Sequence, residues 1–345
     1  MSEETYLDWI SEKSNTNWWN DSGNPREIDF ATIHGVTGVT TNPVLSFRTL
    51  KVYEKHWHSD IKKIIEKRLD PNKKAEELMR IVVTNAAEKL KPIYENTKGE
   101  LGYVCAQVNP SLSGYREELL EATKRYHSWA PNISVKLPGT YSGLDVLEEC
   151  ISIGISCTIT VSFSVPQVIA VAEKYRKAIS KAKKYNMKPG RCFAVIMIGR
   201  LDDYLRDCAM DSRSGIIESD IRQAGLAVTK RAFKIFRNKG YQTTLIVAAL
   251  RGIYHMTELA GANIVMSISP KYQELFLSNS IPYEEKIKNE IPADVIKRLY
   301  KLPEFVKAYE PDGMDQKDFI SFGATQRTLS QFAEVGWKGL QTFEY

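Results

Sequence analysis

Short apolar, β-branched runs alternate with amphipathic stretches along this chain, and that alternation restricts its fold more than any other feature. The runs fall at 16–21, 35–42, 102–109, 132–138, 156–164, 192–199, 243–250 and 263–270. Stretches with apolar residues at helical spacing lie between several of them, at 115–126, 143–153, 165–185 and 217–239. Strands that alternate with helices build right-handed βαβ units and a parallel sheet covered on both faces. Eight such units closing on themselves make an α/β fold, the (β/α)8 TIM barrel, which is the expected architecture. A doubly wound open sheet is the rival. The count of eight and the absence of GxGxxG after the first run weigh against it. Residues 271–345 continue as helical pieces, so the chain is read as a single domain, 1–345, with 271–345 as a C-terminal helical extension.

Composition excludes several classes of function. The net charge of +5, from 47 basic and 42 acidic residues, is scattered with no block of like charge. Lys62-Lys63 and Lys181-Ala182-Lys183-Lys184 fall on amphipathic patterns and read as solvated faces, which leaves no nucleic-acid signature. Five cysteines (Cys105, Cys150, Cys157, Cys192 and Cys208) form neither a CxxC pair nor a metal-ligand spacing. The polar start Met1-Ser2-Glu3-Glu4-Thr5 is no signal segment, and no run of about 18 apolar residues exists to span a membrane. A soluble cytoplasmic protein is expected, with self-association left open. In His56-Trp57-His58 the two histidines diverge on a helix, so no metal site is expected there. Trp18 and Trp19 are assigned to the core, and the terminal Phe343 and Tyr345 are candidates for covering a site.

Lys136 stands inside the apolar run Asn132-Ile133-Ser134-Val135-Lys136-Leu137-Pro138. Lysine is seldom buried without a counter-charge, because desolvating an ammonium is costly. A lysine retained there either snorkels to water or serves as an amine able to attack a carbonyl. In a barrel, chemistry gathers at the C-terminal ends of the strands, and polar residues recur at those ends. Asp21 closes the first run, Asn42 the second, and Gln107 lies near the end of the third. Thr158 and Thr160 alternate in the fifth and face one way. Arg200 and Arg251 follow the sixth and seventh. Taken singly, each has an ordinary alternative: a turn or helix cap for Asp21 and Asn42, strand propensity for the threonines, rim ion pairs for the arginines. Together they line one mouth.

These residues carry a resemblance to the transaldolase family, the Schiff-base barrel enzymes that include fructose-6-phosphate aldolases. Gly38-Val39-Thr40-Thr41-Asn42-Pro43 resembles the family's GVTTNP signature. Ala106-Gln107-Val108, Ser134-Val135-Lys136-Leu137-Pro138, Gly154-Ile155-Ser156-Cys157-Thr158-Ile159-Thr160, Ile198-Gly199-Arg200, Leu250-Arg251 and Leu259-Ala260-Gly261-Ala262-Asn263 follow in the family's order. The resemblance implies that Lys136 is the Schiff-base lysine and Asp21 the acid/base residue, with Thr160 holding a catalytic water. It also implies that Asn42 binds the ketose and that Arg200 and Arg251 grip a phosphate, with Thr158 on the substrate wall. Sugar or sugar-phosphate substrates follow, and no cofactor. There are departures. Gln107 stands where transaldolases carry glutamate and the aldolase subgroup carries glutamine. Met197 stands where that subgroup carries tyrosine. Thr158 replaces an asparagine, and Ala249 a phosphate-binding serine. Transfer of a dihydroxyacetone unit to an aldehyde acceptor is the first reading, direct aldol cleavage the second, and a non-catalytic sugar-phosphate-binding barrel the third.

Overall fold

The structure, a computed structural model, describes residues 5–278 and 281–344. Eight parallel strands close into a barrel in sequence order. They are β1 (Asn17–Asn20), β2 (Gly38–Val39), β3 (Tyr103–Gln107), β4 (Ile133–Pro138), β5 (Cys157–Thr160), β6 (Cys192–Met197), β7 (Thr244–Ala248) and β8 (Val265–Ile268). β1 pairs with β8 as well as with β2, so the sheet has no edge. The expected (β/α)8 class therefore holds, with further helices after β8.

The second run is shorter than its sequence suggests. Only Gly38–Val39 is strand, because Gly35 turns the chain at φ +77° before it. After it, Thr41 sends its hydroxyl to the Cys105 carbonyl at 2.7 Å. Helices Pro43–Val52, Glu54–Glu66 and Pro71–Asn96 then intervene before β3. Several helices begin the same way, with a capping side chain followed by proline. Asn24 caps Pro25–Ile33, Asn42 caps Pro43–Val52, and Ser164 caps Val165–Lys184. The cap oxygen satisfies an otherwise orphaned N–H and proline presets the helical φ, so the chain turns back sharply at the barrel mouth.

The opposite end of the barrel is plugged. Trp19 on β1 meets Phe193 on β6 edge-on at 4.9 Å, and Tyr103 on β3 meets the same ring at 5.4 Å. Strands so far apart in the order touch only across the lumen, so these rings form its floor. Trp18 and Trp19 are both buried, as the core assignment required. Gly38 makes room: a Cβ there would lie 2.4 Å from Trp19 Cε2. Gly38→Ala is expected to destabilise the fold by about 3 kcal/mol through overpacking, read as a drop in the denaturation midpoint.

The C-terminal segment runs back across the barrel. Gln331, ending helix Gly323–Gln331, bonds to Arg200 beyond β6, and Gly336 then packs on Pro43 and Val44 beyond β2. Phe343 packs on the flank of the second of the capped helices. It lies edge-on to Phe47 at 6.0 Å with the Lys51 ammonium 4.4 Å from its centroid, because that flank of helix Pro43–Val52 offers an apolar seat. Tyr345 lies outside the described residues. Among the described residues, no helix is long and apolar enough to cross a membrane.

Candidate active site

Two of the singled-out residues, Gln107 and Thr160, end their strands; Lys136 and Thr158 lie within β4 and β5, and Asp21, Asn42, Arg200 and Arg251 lie in the segments that follow strands. Gln107 ends β3 and pairs in register with Lys136 on β4, which pairs in turn with Thr158 on β5. Thr160 ends β5, Asp21 directly follows β1, and Asn42 follows β2. Arg200 sits in the first turn of helix Ile198–Asp211, and Arg251 lies between β7 and helix Ile253–Thr257.

Lys136 is only 6% exposed, so it does not snorkel to open water. Its Nζ donates across the lumen to the Thr41 carbonyl at 3.2 Å. Asp21 accepts from Thr40 Oγ1 at 2.7 Å, and Thr40 is paired with Ser267 Oγ at 2.6 Å. Burial raises the Asp21 carboxyl above the ordinary carboxylate value of 3.8. The Thr40 hydroxyl and the positive charge of Lys136 oppose that rise without cancelling it. The Lys136 amine and the Asp21 carboxyl are thus near enough for the charge of one to act on the other.

The remaining walls divide by polarity. Gln107 is buried beside Lys136 in the strand register, and its Oε1 meets no protein donor. The Thr160 hydroxyl lies 3.9 Å from the Met197 sulfur, a weak acceptor that leaves it available to other partners. Thr158, by contrast, is engaged within the wall by Ser134 Oγ at 2.7 Å and by Cys105 Sγ at 3.6 Å. Asn42 spends its Oδ1 on capping Leu45 N at 3.0 Å. The turn reading of Asn42 is thus correct as far as the carbonyl oxygen goes. Val161, next to Thr160, sits at φ +54°, a strained conformation for a β-branched residue. Gln167 holds that turn in place, donating to the Val161 and Gly139 carbonyls and accepting from Phe163 N and Ser164 Oγ.

At the rim the two guanidinium groups sit close enough for Arg251 to depress Arg200. Burial is the larger cause, and together they bring Arg200 down to about 10. Arg200 stacks on Phe332 at 5.1 Å. Arg251 donates from Nε and Nη2 to Asp203 Oδ2 at 2.9 and 2.7 Å, so the rim ion pair is real. Arg200 still lies within reach of both Arg251 and Asp21, whose charges act on it.

Thr40, Ser267, Gln167, Asp202, Asp203 and His255 do not stand out as site residues in the sequence. Thr40 and Asp203 stand within or beside the quoted motifs and were findable. Ser267 needed the register, which places β8 beside β1. A separate cleft of about 830 Å³ on the flank, lined by Asn24, Arg26, Asp29, Tyr53, His56 and Lys89, contains none of the eight candidates.

A buried lysine, an acid and two arginines gathered at the mouth of a (β/α)8 barrel are the setting of a barrel enzyme. The chain belongs to the transaldolase/fructose-6-phosphate aldolase family, whose profile matches residues 18–322. It is a transaldolase-type enzyme of the Schiff-base class. It is similar to a protein named transaldolase from Thiobacillus denitrificans, 25% identical over 322 residues that span 89% of this chain and 87% of that one. A transaldolase from Neisseria meningitidis serogroup A is 26% identical, covering 90% of this chain and 87% of its own. One from Neisseria gonorrhoeae is 27% identical over 67% of this chain and 62% of its own.

Proposed function

We propose that the enzyme moves a dihydroxyacetone unit from a ketose phosphate to an aldehyde acceptor, with Lys136 as the amine. The observation that carries this reading is a lysine 6% exposed within β4, its charge acting on Asp21. Lys136 Nζ adds to the ketose carbonyl and water leaves, giving an iminium. Asp21 takes the proton of the hydroxyl on the carbon beyond the scissile bond. That bond breaks, the aldehyde departs, and the electron pair settles into the iminium as an enamine. The enamine carbon then attacks the acceptor aldehyde, Asp21 returns its proton to the new alkoxide, and hydrolysis frees Lys136.

The other roles follow from chemistry and position. Gln107 Oε1 and the Thr160 hydroxyl hold the water consumed and released at the iminium. The amide nitrogen of Asn42, opposite its capping oxygen, bonds the substrate's hydroxyls. Thr158 forms the wall beside Lys136 through its methyl, its hydroxyl being engaged. Arg200 and Arg251 bind the phosphate, as planar guanidinium groups suit a tetrahedral oxyanion.

Transfer is favoured over direct cleavage by the scarcity of proton donors. Releasing dihydroxyacetone requires protonating the enamine carbon. Met197 beside Thr160 has no acidic proton where the aldolase subgroup carries tyrosine; Gln107 has none either, but does not separate the two readings, since that subgroup also carries glutamine there. An enamine with few proton sources survives until an acceptor arrives. The test is borohydride reduction in the presence of fructose 6-phosphate, with mass and peptide mapping. A reduced three-carbon adduct on Lys136 is expected, and turnover only when an acceptor aldehyde is supplied. Steady release of dihydroxyacetone without acceptor would establish the direct aldolase instead.

A further inference from the structure

The loop that carries Arg251 is tied to a fully buried acid–imidazole pair. We propose that His255 and Asp202 are positioning residues that fix where the Arg251 guanidinium meets an anionic substrate end. The proposal rests on the reading of Arg251 as a phosphate-binding group.

His255 and Asp202 are each 0% exposed, and they belong to different elements, helix Ile253–Thr257 and helix Ile198–Asp211. The Arg251 backbone N–H donates to His255 Nδ1 at 3.1 Å. A backbone amide only donates, so Nδ1 carries the lone pair and the ring proton resides on Nε2. Nε2 then donates to Asp202 Oδ2 at 2.9 Å. The other oxygen, Asp202 Oδ1, accepts from Gly225 N at 2.8 Å, on helix Glu218–Lys239. One tautomer thus joins three elements, and the acid selects it, as carboxylates that accept an imidazole N–H do elsewhere.

The loop needs such a tie. β7 ends at Ala248, and Ala249 lies at φ +59°, a conformation that is unfavourable for a non-glycine residue and persists only where its surroundings impose it. Close packing narrows the choices further, since a Cβ on Gly199 would come within 2.4 Å of Arg251 Cγ. With the backbone held by His255 and the side chain by Asp203 and the Ala249 carbonyl, the guanidinium is aimed before any substrate arrives. Preorganisation of this kind lowers the cost of binding.

Three substitutions separate positioning from mere packing. His255→Gln places an amide donor near the Nε2 position and removes the acceptor for Arg251 N–H. His255→Asn does the reverse, retaining an acceptor near the Nδ1 position. Asp202→Asn keeps the shape. Its carbonyl stays with Gly225 N–H, so its NH2 faces Nε2 and drives the ring proton to Nδ1, against the Arg251 N–H. With the full-length enzyme and fructose 6-phosphate, H255Q and D202N are expected to raise KM on the order of ten-fold, the effect of one lost buried hydrogen bond, with the loss falling on KM rather than kcat. H255N should raise it less than H255Q. With fructose, which lacks the phosphate, the three should not differ in KM. D202N keeps the test available if H255Q does not fold. Arg251→Gln is measured alongside. If R251Q raises KM while folded H255Q or D202N does not, the positioning proposal is overturned. If R251Q leaves KM unchanged, the phosphate-binding reading of Arg251 fails, and this inference with it.

Discussion

Lys136→Met is expected to abolish turnover, lowering kcat by on the order of 10⁴-fold or more, while leaving the protein at least as stable as its parent. Both halves follow from where the amine sits. With no nucleophile there is no iminium, and so no electron sink for the C–C bond, whatever the remaining residues do. The Lys136 ammonium is nevertheless a burden on the fold, because it is 6% exposed and has one carbonyl as its hydrogen-bond partner. Methionine fills a similar volume without the desolvation cost, so stability is expected to equal or exceed the parent's by up to about 2 kcal/mol. Denaturant titration and the transfer rate, measured on one preparation, check the pair. A variant that unfolds, or one that keeps more than a trace of activity, would contradict the assignment of Lys136.

Asp21→Asn should separate the first chemical step from the second. Attack by Lys136 on the carbonyl does not need the Asp21 carboxylate to break the C–C bond, whereas cleavage does. Turnover is expected to fall roughly 10²- to 10⁴-fold, the usual contribution of a general base. Borohydride should then trap the uncleaved ketose on Lys136 in place of the three-carbon unit. The stability of the parent also depends on pH through this residue. Burial raises the native carboxyl above 3.8, so between 3.8 and the raised value the native state binds more protons than the unfolded state. Its stabilising contribution is complete below 3.8 and is lost as pH rises through the raised value. D21N lacks that loss, so its stability relative to the parent should climb over the same interval. Chemical denaturation across the weakly acidic range reads this directly. A flat difference would mean that Asp21 titrates as an ordinary exposed acid.

The barrel was legible in the sequence because each strand is buried on both faces and so reads as a continuous apolar run. β4 and β6, at Ile133–Pro138 and Cys192–Met197, coincide closely with such runs. β2 was overestimated, since Thr40 and Thr41 have strand-like chemistry but spend their hydroxyls on Asp21 and on the Cys105 carbonyl. The individual site positions were legible because a parallel barrel brings its strand ends to one side whatever the details. How they connect was not. Asp203 against Arg251, Ser267 against Thr40 and Gln331 against Arg200 join segments from 48 to 227 residues apart, and no local pattern encodes them. His255 was overlooked for a related reason: a histidine four residues after an arginine is unremarkable until its surroundings prove to be fully buried.

The aromatic plug of Trp19, Tyr103 and Phe193 has a kinetic corollary. It fills the lumen at its floor, so the approach to Lys136 is from the mouth. Donor, departing aldehyde and incoming acceptor must all pass through it, and the last two compete for the same space beside the enamine. The first product therefore has to clear the threshold before the second substrate can enter, while the carbon fragment waits, tethered, inside. Double-displacement kinetics, with parallel lines in reciprocal plots, are thus imposed by closing the far end of the lumen as much as by the chemistry at the near one.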